Sequence, residues 1–501
     1  MSDIIYPTIK LYLYDLRNGL GQNSEDIENN RIIYKSKLPE NITDSLFEFD
    51  TDFEADYVEL LGKNKRIEKF SDEAYEGYYY PVRLGDIYGL LLDCSVKDQK
   101  IPHPANCFKY IKTQIDSKLN NQVATVGQTW MLTASLADFP SLCSESIASY
   151  CYQAVMPDGN WDEDLQGQGN FLGGQIFELW RYRLLLKEEN HNSSSQYSLN
   201  SSIQNIQENQ HVIIALYPNV ATAEKAAEFI FDWMPLFCYR HKIMLASAQS
   251  RCLKQQLKKD FVFIQNNIKD ITQASSQKLE LTTIRKILNN AQKNLAQYST
   301  NISYYDYQIR NIDLNLENYK KRLSKFPIKA SSSDMNFLEQ FSKYIENKDL
   351  VQIKKDYENL SPGLQLLEGL IKSITSLTSI IEIDEEERER NFQKNIAIFG
   401  ISLASAGLVA ETSDYFVEDI QKLSLVKNLP FWKHCLSEQV VTISDWTFCP
   451  QEGKPDPTDA VVAVTVSILV GLIVGALTSL FFSANAAIRK RRLKSNRTSQ
   501  F

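Results

Sequence analysis

The stretch AVVAVTVSILVGLIVGALTSLFF, residues 460–482, contains 23 residues and no charged one. A helix needs about 20 apolar residues to cross a hydrocarbon layer of about 30 Å. Buried helices of water-soluble domains rarely sustain an uncharged run of this length. We therefore predict a transmembrane helix over residues 460–482.

A second apolar segment lies earlier in the chain, where residues 396–410 carry no charge. This run is shorter than the usual span of about 20 residues, but Lys394 could extend it by directing its ammonium group toward the interface. Charged residues precede the run directly, and no proline or glycine interrupts the chain between Gly369 and Gly400. We predict one helix over residues 361–412 that begins in water and continues into a first span.

Charge on either side of the spans predicts their direction. The tail, residues 483–501, contains six lysines and arginines and no acid, whereas acids outnumber lysines in residues 413–459. By the positive-inside rule the tail is cytosolic and residues 413–459 form an extracytoplasmic loop. The first residues show no secretory signal pattern. We expect an integral protein of the inner or plasma membrane with both termini in the cytosol.

Two of the eight cysteines, Cys435 and Cys449, fall in the predicted outside loop. In an oxidising compartment they could form a disulfide, which closes a loop of about 15 residues and stabilises it by about 3 kcal/mol. Two free thiols are the alternative. The other six cysteines show no CxxC pair and no spacing suited to zinc, so we interpret them as reduced thiols.

A heptad pattern precedes the membrane segments. Apolar residues recur at alternating steps of three and four from Leu281 to Leu323, and Pro327 ends the pattern. This predicts a helix about 63 Å long. A less regular apolar face covers Leu253 to Ile271, and TQASSQ separates the two patterns. Residues 211–360 are therefore predicted to contain a last strand and long antiparallel coiled-coil stalk helices.

The helix predicted over residues 361–412 carries two candidate functional faces. Acidic residues are in excess just before the first span. In an oligomer they could form a cation-attracting collar at the cytosolic mouth of the pore, and the alternative is a solvated helix face whose charges neutralise one another. The excess acids are Glu382, Glu385, Glu387 and Glu389. Polar residues of the span fall on one side and could line water or face lipid. Small residues suited to close helix packing are Gly400 and Gly407 in the first span and Gly471 and Gly475 in the second.

The N-terminal part mixes strand-like and helix-like patterns, so we predict a cytosolic α/β regulatory domain over residues 1–185. A Ser/Asn/Gln-rich linker follows over residues 186–210. GQGNFLGG, residues 167–174, has the wrong spacing for a dinucleotide-binding loop, and a plain loop is the favoured interpretation. The formal charge of -8 disfavours nucleic acid as a partner. No catalytic constellation is visible, so an enzyme is not predicted.

This order of parts resembles the CorA-type metal-ion channel and transporter family over roughly residues 210–495. The similarity lies in architecture and topology, because the family's Gly-Met-Asn motif is absent and ETSDYF stands at residues 411–416. The resemblance implies a homopentamer with the first spans around the pore and a divalent metal ion as substrate or regulator. The pore-lining residues would be Asn395, Phe399, Ser402, Ser405, Val409 and Thr412.

Three functions follow from this interpretation. The first is a CorA-like homo-oligomeric channel or transporter for cations, gated through its cytosolic domain. The second is a CorA-like membrane effector of a defence or signalling system, opened by a small nucleotide bound to the N-terminal domain. The third is a membrane-anchored coiled-coil scaffold without a pore. No resident cofactor is predicted, and the partners are the membrane and further copies of the chain.

Overall fold

The computed structural model describes residues 3–43, 46–47, 50, 56–62, 65–136, 144–184, 207–274, 281–326, 333–381, 442–443 and 446–447. The chain divides into two compact units. The N-terminal unit comprises Met1–Gln255 and Ser303–Tyr357, and the C-terminal unit comprises Gln256–Ile302 and Glu358–Phe501.

A ten-stranded sheet forms the centre of the N-terminal unit. Its strands are β1 (Asp3–Leu16), β2 (Tyr57–Glu59), β3 (Glu68–Ser71), β4 (Tyr75–Leu84), β5 (Ile87–Val96), β6 (His103–Pro104), β7 (Gly127–Leu136), β8 (Leu165–Phe171), β9 (Gly174–Leu184) and β10 (Gln207–Tyr217). The main path runs in the order β2-β4-β5-β1-β7-β10-β9-β8, with β3 on β4 and β6 on β1. β7 and β10 pair parallel, and their other neighbours, β1 and β9, pair with them antiparallel.

Alternate residues of the central strands pack into two layers, as strand geometry requires. On β1, Ile9, Leu11 and Leu13 belong to one hydrophobic core. That layer is closed by helices α3 (Cys107–Lys118) and α4 (Ser144–Val155), which contribute residues such as Ile111 and Ile147. The sheet is thus covered by helices on this face.

The opposite face packs against a long helix, α7 (Ile230–Ala274). The Tyr14 hydroxyl donates to the Met234 carbonyl at 2.7 Å, and the ring of Tyr12 lies 5.2 Å from that of Phe237. These contacts fix the start of α7 on the middle of the sheet.

The shorter helices of the N-terminal unit are α1 (Ser24–Lys35), α2 (Glu40–Thr43), α5 (Trp161–Asp164), α6 (Val220–Ala227), α9 (Glu339–Tyr344) and α10 (Leu350–Leu360), the last of which ends in the C-terminal unit. Of these helices, α1, α2 and α5 lie in connections between strands, and the others follow β10. A 3-10 turn, Asn336–Leu338, and a π-helical turn, Ile345–Asp349, flank α9.

The glycine-rich stretch GQGNFLGG is a β-hairpin. It supplies the end of β8 and the first residue of β9, joined by Leu172 and Gly173 with φ angles of 53° and 85°. Two consecutive left-handed residues are typical of a two-residue hairpin turn. Gly173 therefore has a structural role in this turn.

The heptad pattern coincides with a helix, α8 (Leu281–Leu323), which is 43 residues long. Its seam residues are buried at Ile284, Tyr298, Ile312 and Tyr319. The less regular apolar face from Leu253 to Ile271 lies within the second half of α7.

The described part of the C-terminal unit includes α11 (Pro362–Ile381). The buried Tyr298 hydroxyl donates to the Leu360 carbonyl at 2.7 Å. A Cβ atom on Gly363 would lie 2.4 Å from the same hydroxyl, so this close approach requires glycine. α11 therefore begins against α8 in this unit.

The predicted pore, collar, packing and disulfide residues all lie outside the described residues, as do residues 460–482. Within the predicted outside loop, Thr442–Ile443 pairs antiparallel with Trp446–Thr447. In the parts of the chain that are described, no helix combines the length and apolar character needed to cross a membrane.

The domain boundaries differ from those expected from sequence. β10 begins at Gln207, inside the predicted linker of residues 186–210, and it pairs with β7 and β9 within the one sheet. A division after residue 185 would therefore cut the sheet. The N-terminal unit instead extends to Gln255 and includes Ser303–Tyr357.

The buried ion pair between Lys37 and Asp15 gives a test of the N-terminal unit. The two side chains are at most 1% exposed, and Lys37 Nζ donates to Asp15 Oδ2 at 2.6 Å. Lys37→Met leaves a buried carboxylate uncompensated, so we expect a loss of about 3–5 kcal/mol of unfolding free energy. Urea unfolding followed by tryptophan fluorescence measures this loss.

The matched control is the double variant Lys37→Met/Asp15→Leu, which removes both charges. We expect it to be clearly more stable than Lys37→Met alone, since no unpaired charge stays buried. Equal stability of the single and double variants would contradict the importance of this pair.

Candidate functional site: a cleft and a buried histidine chain

A cleft of about 330 Å³ opens in the N-terminal unit between β7, β10 and the end of α3. Residues of three kinds line it. The apolar ones are Leu11, Leu119, Val123 and Met156, the amides are Asn121, Gln122, Gln128, Asn209 and Gln210, and the others are Lys112, Asp116, Trp130 and His211. Amide and charged residues thus outnumber the apolar ones in the cleft, and its volume suits a small ligand.

Two of the lining residues, Asn209 and His211, belong to a continuous line of hydrogen bonds. Thr129 stands at its centre, with its hydroxyl 2.7 Å from His211 Nδ1 and 2.8 Å from His241 Nε2. His211 Nε2 lies 3.1 Å from Glu178 Oε1, and Asn209 Nδ2 lies 3.4 Å from His241 Nδ1. We call these five residues the histidine chain.

The two end residues of the histidine chain, Asn209 and Glu178, determine which atom carries each hydrogen. The Asn209 amide donates to His241 Nδ1, which therefore carries no hydrogen, so His241 donates from Nε2 to the Thr129 oxygen. The hydroxyl then donates to His211 Nδ1. His211 in turn donates from Nε2 to the Glu178 carboxyl group, which accepts. Every hydrogen bond in the line runs in one direction.

Burial decides the charge of the two rings. His211 and His241 are both fully buried. Burial is the first cause that lowers the pKa of each ring well below its ordinary value, and the positive charge of Arg240 is the next. Both histidines are therefore neutral, in agreement with the hydrogen-bond assignment.

Arg240 connects the histidine chain to strand β9 and helix α9. Its guanidinium lies 4.6 Å from the ring centroid of Phe341 and 5.6 Å from that of Trp180. Arg240 Nε is 3.7 Å from Glu178 Oε1, which is an ion-pair contact and longer than a hydrogen bond. Among the described residues, its side-chain nitrogens have no hydrogen-bond partner. Aromatic faces and one carboxylate thus compensate this buried cation.

Gly127, the first residue of β7, makes room for His241. A Cβ atom there would lie 2.4 Å from His241 Nδ1 and 2.7 Å from its Cγ. No side chain could be accommodated without moving the ring. The glycine therefore lets α7 approach the sheet closely enough to complete the histidine chain.

Sequence reasoning missed this site. Its members lie on β7, β9, β10 and α7. They are separated by up to 112 residues in the sequence, so no local spacing pattern indicates the site. The signal that was available was two histidines within a chain that contains five, one opening the strand pattern HVIIALYP and one beside Arg240.

Metal and thiol chemistry find no support in the described part of the chain. No group of three or more His, Cys, Asp and Glu side chains suited to a metal ion occurs there. The described cysteines, Cys94, Cys107, Cys151, Cys238 and Cys252, are free thiols. Burial raises the pKa of Cys94 and of Cys238 to about 12, so these thiols are poor nucleophiles.

The bridging hydroxyl can be tested by substitution. Thr129→Val keeps the shape of the side chain but leaves a buried nitrogen on each histidine without its partner, and each loss costs about 1–3 kcal/mol. We expect a destabilisation of about 2–5 kcal/mol in urea unfolding. Thr129→Ser, which keeps the hydroxyl, should lose less than about 1.5 kcal/mol. Similar losses in the two variants would contradict the bridging role.

Stability should depend on pH through opposing groups in the histidine chain. Burial raises the pKa of Glu178 from its ordinary 4.5 to about 7, although Arg240 opposes this shift. The stabilising contribution of Glu178 is thus complete below pH 4.5 and is lost as the pH rises toward 7. The lowered pKa values of the histidines act in reverse, because their contribution is complete above pH 6.5 and is lost as the pH falls.

Glu178→Gln separates these contributions. In the original protein, ionisation of Glu178 lowers the unfolding free energy between pH 4.5 and 7. Glutamine does not ionise, so the unfolding free energy of the variant should rise with pH more steeply over this range. The difference in slope should reach up to about 1.4 kcal/mol per pH unit. Urea titrations at several pH values measure both slopes, and parallel curves would contradict the raised pKa of Glu178.

Comparisons with known proteins identify no relative of this chain. No family model, no curated protein and no solved structure matches the chain.

Proposed function

We propose that the chain is a CorA-like homo-oligomeric membrane channel or transporter for cations, gated through its N-terminal unit. The observation that carries the proposal is the uncharged run of residues 460–482, followed by a tail with six basic residues and no acid. Such a run is long enough to span a bilayer, and the tail assigns the cytosolic side. In this proposal both termini are cytosolic and the chain catalyses no reaction.

The long helices support the proposal. α8 extends over 43 residues, or about 63 Å from end to end, and it keeps a buried apolar seam. α11 begins at Pro362 and is described as far as Ile381, shortly before the acidic collar and the apolar residues 396–410. A helix of this kind could transmit a change of angle to the proposed pore.

The pore assignment rests on the polar side of residues 396–410. Ser402 and Ser405 fall on the same side of a helix as Asn395 and Thr412 at about 100° per residue. In an oligomer these hydroxyl groups would face a shared aqueous path, and the acids Glu385 and Glu389 would concentrate cations at its entrance.

Flux measurements test the proposal. The full chain, reconstituted in liposomes, should release trapped cations, and Ser402→Leu or Ser405→Leu should reduce the flux at least tenfold because leucine replaces a water-facing hydroxyl by a hydrocarbon. Ser467→Leu in the second apolar run is the matched control and should leave the flux unchanged.

Two results would contradict this function. One is the absence of any ion flux from the reconstituted protein, and the other is unchanged flux in both pore variants. A dimer in native mass spectrometry would favour the scaffold instead, since two first spans cannot enclose water. Depolarisation that requires an added nucleotide would favour the signalling effector.

A further inference from the structure

Polar side chains occupy one end of the sheet face that packs against α7. Tyr12, which contacts α7, and Lys10 lie two residues apart on β1 and so share this face. Asp93 of β5 is directly opposite Lys10, and Tyr78 of β4 is directly opposite Asp93. Directly opposite residues of neighbouring strands point to the same side of a sheet. The four side chains therefore lie together on one face.

The same face carries further hydroxyl groups on β7 and β10. Thr8, two residues before Lys10 on β1, is directly opposite Thr133 of β7. Ser135 follows Thr133 by two residues, and it is directly opposite Tyr217 of β10. By the same alternation, Ser135 and Tyr217 share the face of Lys10. Hydroxyl groups thus lie beside the charged residues on this face.

Three hydroxyl groups of this face are buried without a hydrogen-bond partner among the described residues. They belong to Tyr12, Ser135 and Tyr217. Burial is the first cause that raises the pKa of Tyr12, and Asp93 and then Tyr217 add to it, which places these groups close together. Buried hydroxyl groups almost always have a partner. Three that lack one on a single face indicate a place where a polar molecule binds.

Lys10 and Asp93 are buried neighbours that do not pair with each other. Each is 8% exposed. Burial is the larger influence on the pKa of each group, and the opposite charge of the neighbour is the next, but no hydrogen bond joins them. Within the described part of the chain, neither head group has an ion-pair or hydrogen-bond partner. A buried charge is costly unless it is paired, so both groups are available to a third one.

Two half-buried tyrosines, Tyr6 and Tyr78, form the outer border of this group. Burial and then the charge of Asp93 raise the pKa of both, which places Asp93 near the two hydroxyls. Tyr6 has a φ angle of 59° and lies where the pairing between β1 and β7 is irregular. A small molecule that passes these rings would meet the carboxylate behind them.

We propose that this face of the sheet binds a small zwitterion of the α-amino acid type. The ligand's carboxylate would accept a hydrogen bond from Lys10 Nζ, and its ammonium group would donate to the Asp93 carboxylate. An α-amino acid carries both charges on one carbon atom, which suits two charges presented by directly opposite residues. Its net charge of zero leaves no uncompensated charge in a buried site.

The unpartnered hydroxyls define the side chain of the ligand. Tyr12, Ser135 and Tyr217 can each donate or accept a hydrogen bond. They favour a polar, uncharged side chain such as that of serine or glutamine over an apolar one. This assignment is independent of the proposed channel, because binding at this face requires no ion flux.

Saturation-transfer NMR on the full chain in mild detergent tests the proposal with defined probes. The panel contains serine, threonine, asparagine, glutamine and leucine, together with the N-acetyl and carboxamide derivatives of the four polar amino acids. At least one polar amino acid should bind, and leucine should bind more weakly. The N-acetyl and carboxamide derivatives of that amino acid, which each lack one charge, should bind at least tenfold more weakly.

Variants locate the binding. Asp93→Asn keeps the shape of the side chain and removes its charge, and Lys10→Met removes the ammonium group. Each should weaken binding of that amino acid at least tenfold. Asp98→Asn and Lys97→Met change exposed residues just after β5, and these matched controls should bind as the original protein does. Thermal melting verifies folding, and if Lys10→Met does not fold, Asp93→Asn and the derivatives decide the proposal.

Several results would overturn the proposal. They are binding of no amino acid in the panel, equal binding of an amino acid and its singly charged derivatives, tighter binding of leucine than of the polar amino acids, and unchanged affinity in Asp93→Asn. Loss of flux without loss of amino acid binding would affect the proposed channel alone.

Discussion

The Thr129 hydroxyl, placed between two buried neutral histidines, is the contact on which the candidate site depends. It lies 2.7 Å from His211 and 2.8 Å from His241, and so it joins a strand, the neighbouring strand and a long helix through one oxygen. Buried polar groups are costly unless they are satisfied, and this line gives a partner to both nitrogens of each histidine and to the Thr129 hydroxyl, in a single direction. The approach of α7 to the sheet is defined by this requirement together with Gly127.

The histidine chain also connects the cleft to α7. Asn209 and His211 line the cleft, whereas His241 and Arg240 are residues of α7. Asn209 donates to His241, and Arg240, next to His241 on α7, contacts the rings of Trp180 and Phe341.

Sequence patterns predict the parts of this fold that are local. The heptad from Leu281 to Leu323 coincides with α8, because a periodic apolar stripe is sufficient to define a long helix. The place of β10 between β7 and β9 is not local, since strand order depends on packing of the whole sheet. The same is true of the site, where Glu178, His211 and His241 become neighbours only through that order. The membrane segments stay a prediction from residues 396–410 and 460–482.

Nitrogen-15 NMR of histidine tests the central claim most directly. In a variant in which His103, His191 and His434 are replaced by glutamine, the remaining signals belong to His211 and His241. Both rings should be neutral at pH 7, with the hydrogen on Nε2 and none on Nδ1, and they should stay so between pH 6 and 8. A charged ring, a hydrogen on Nδ1, or averaging between the two tautomers would contradict the histidine chain.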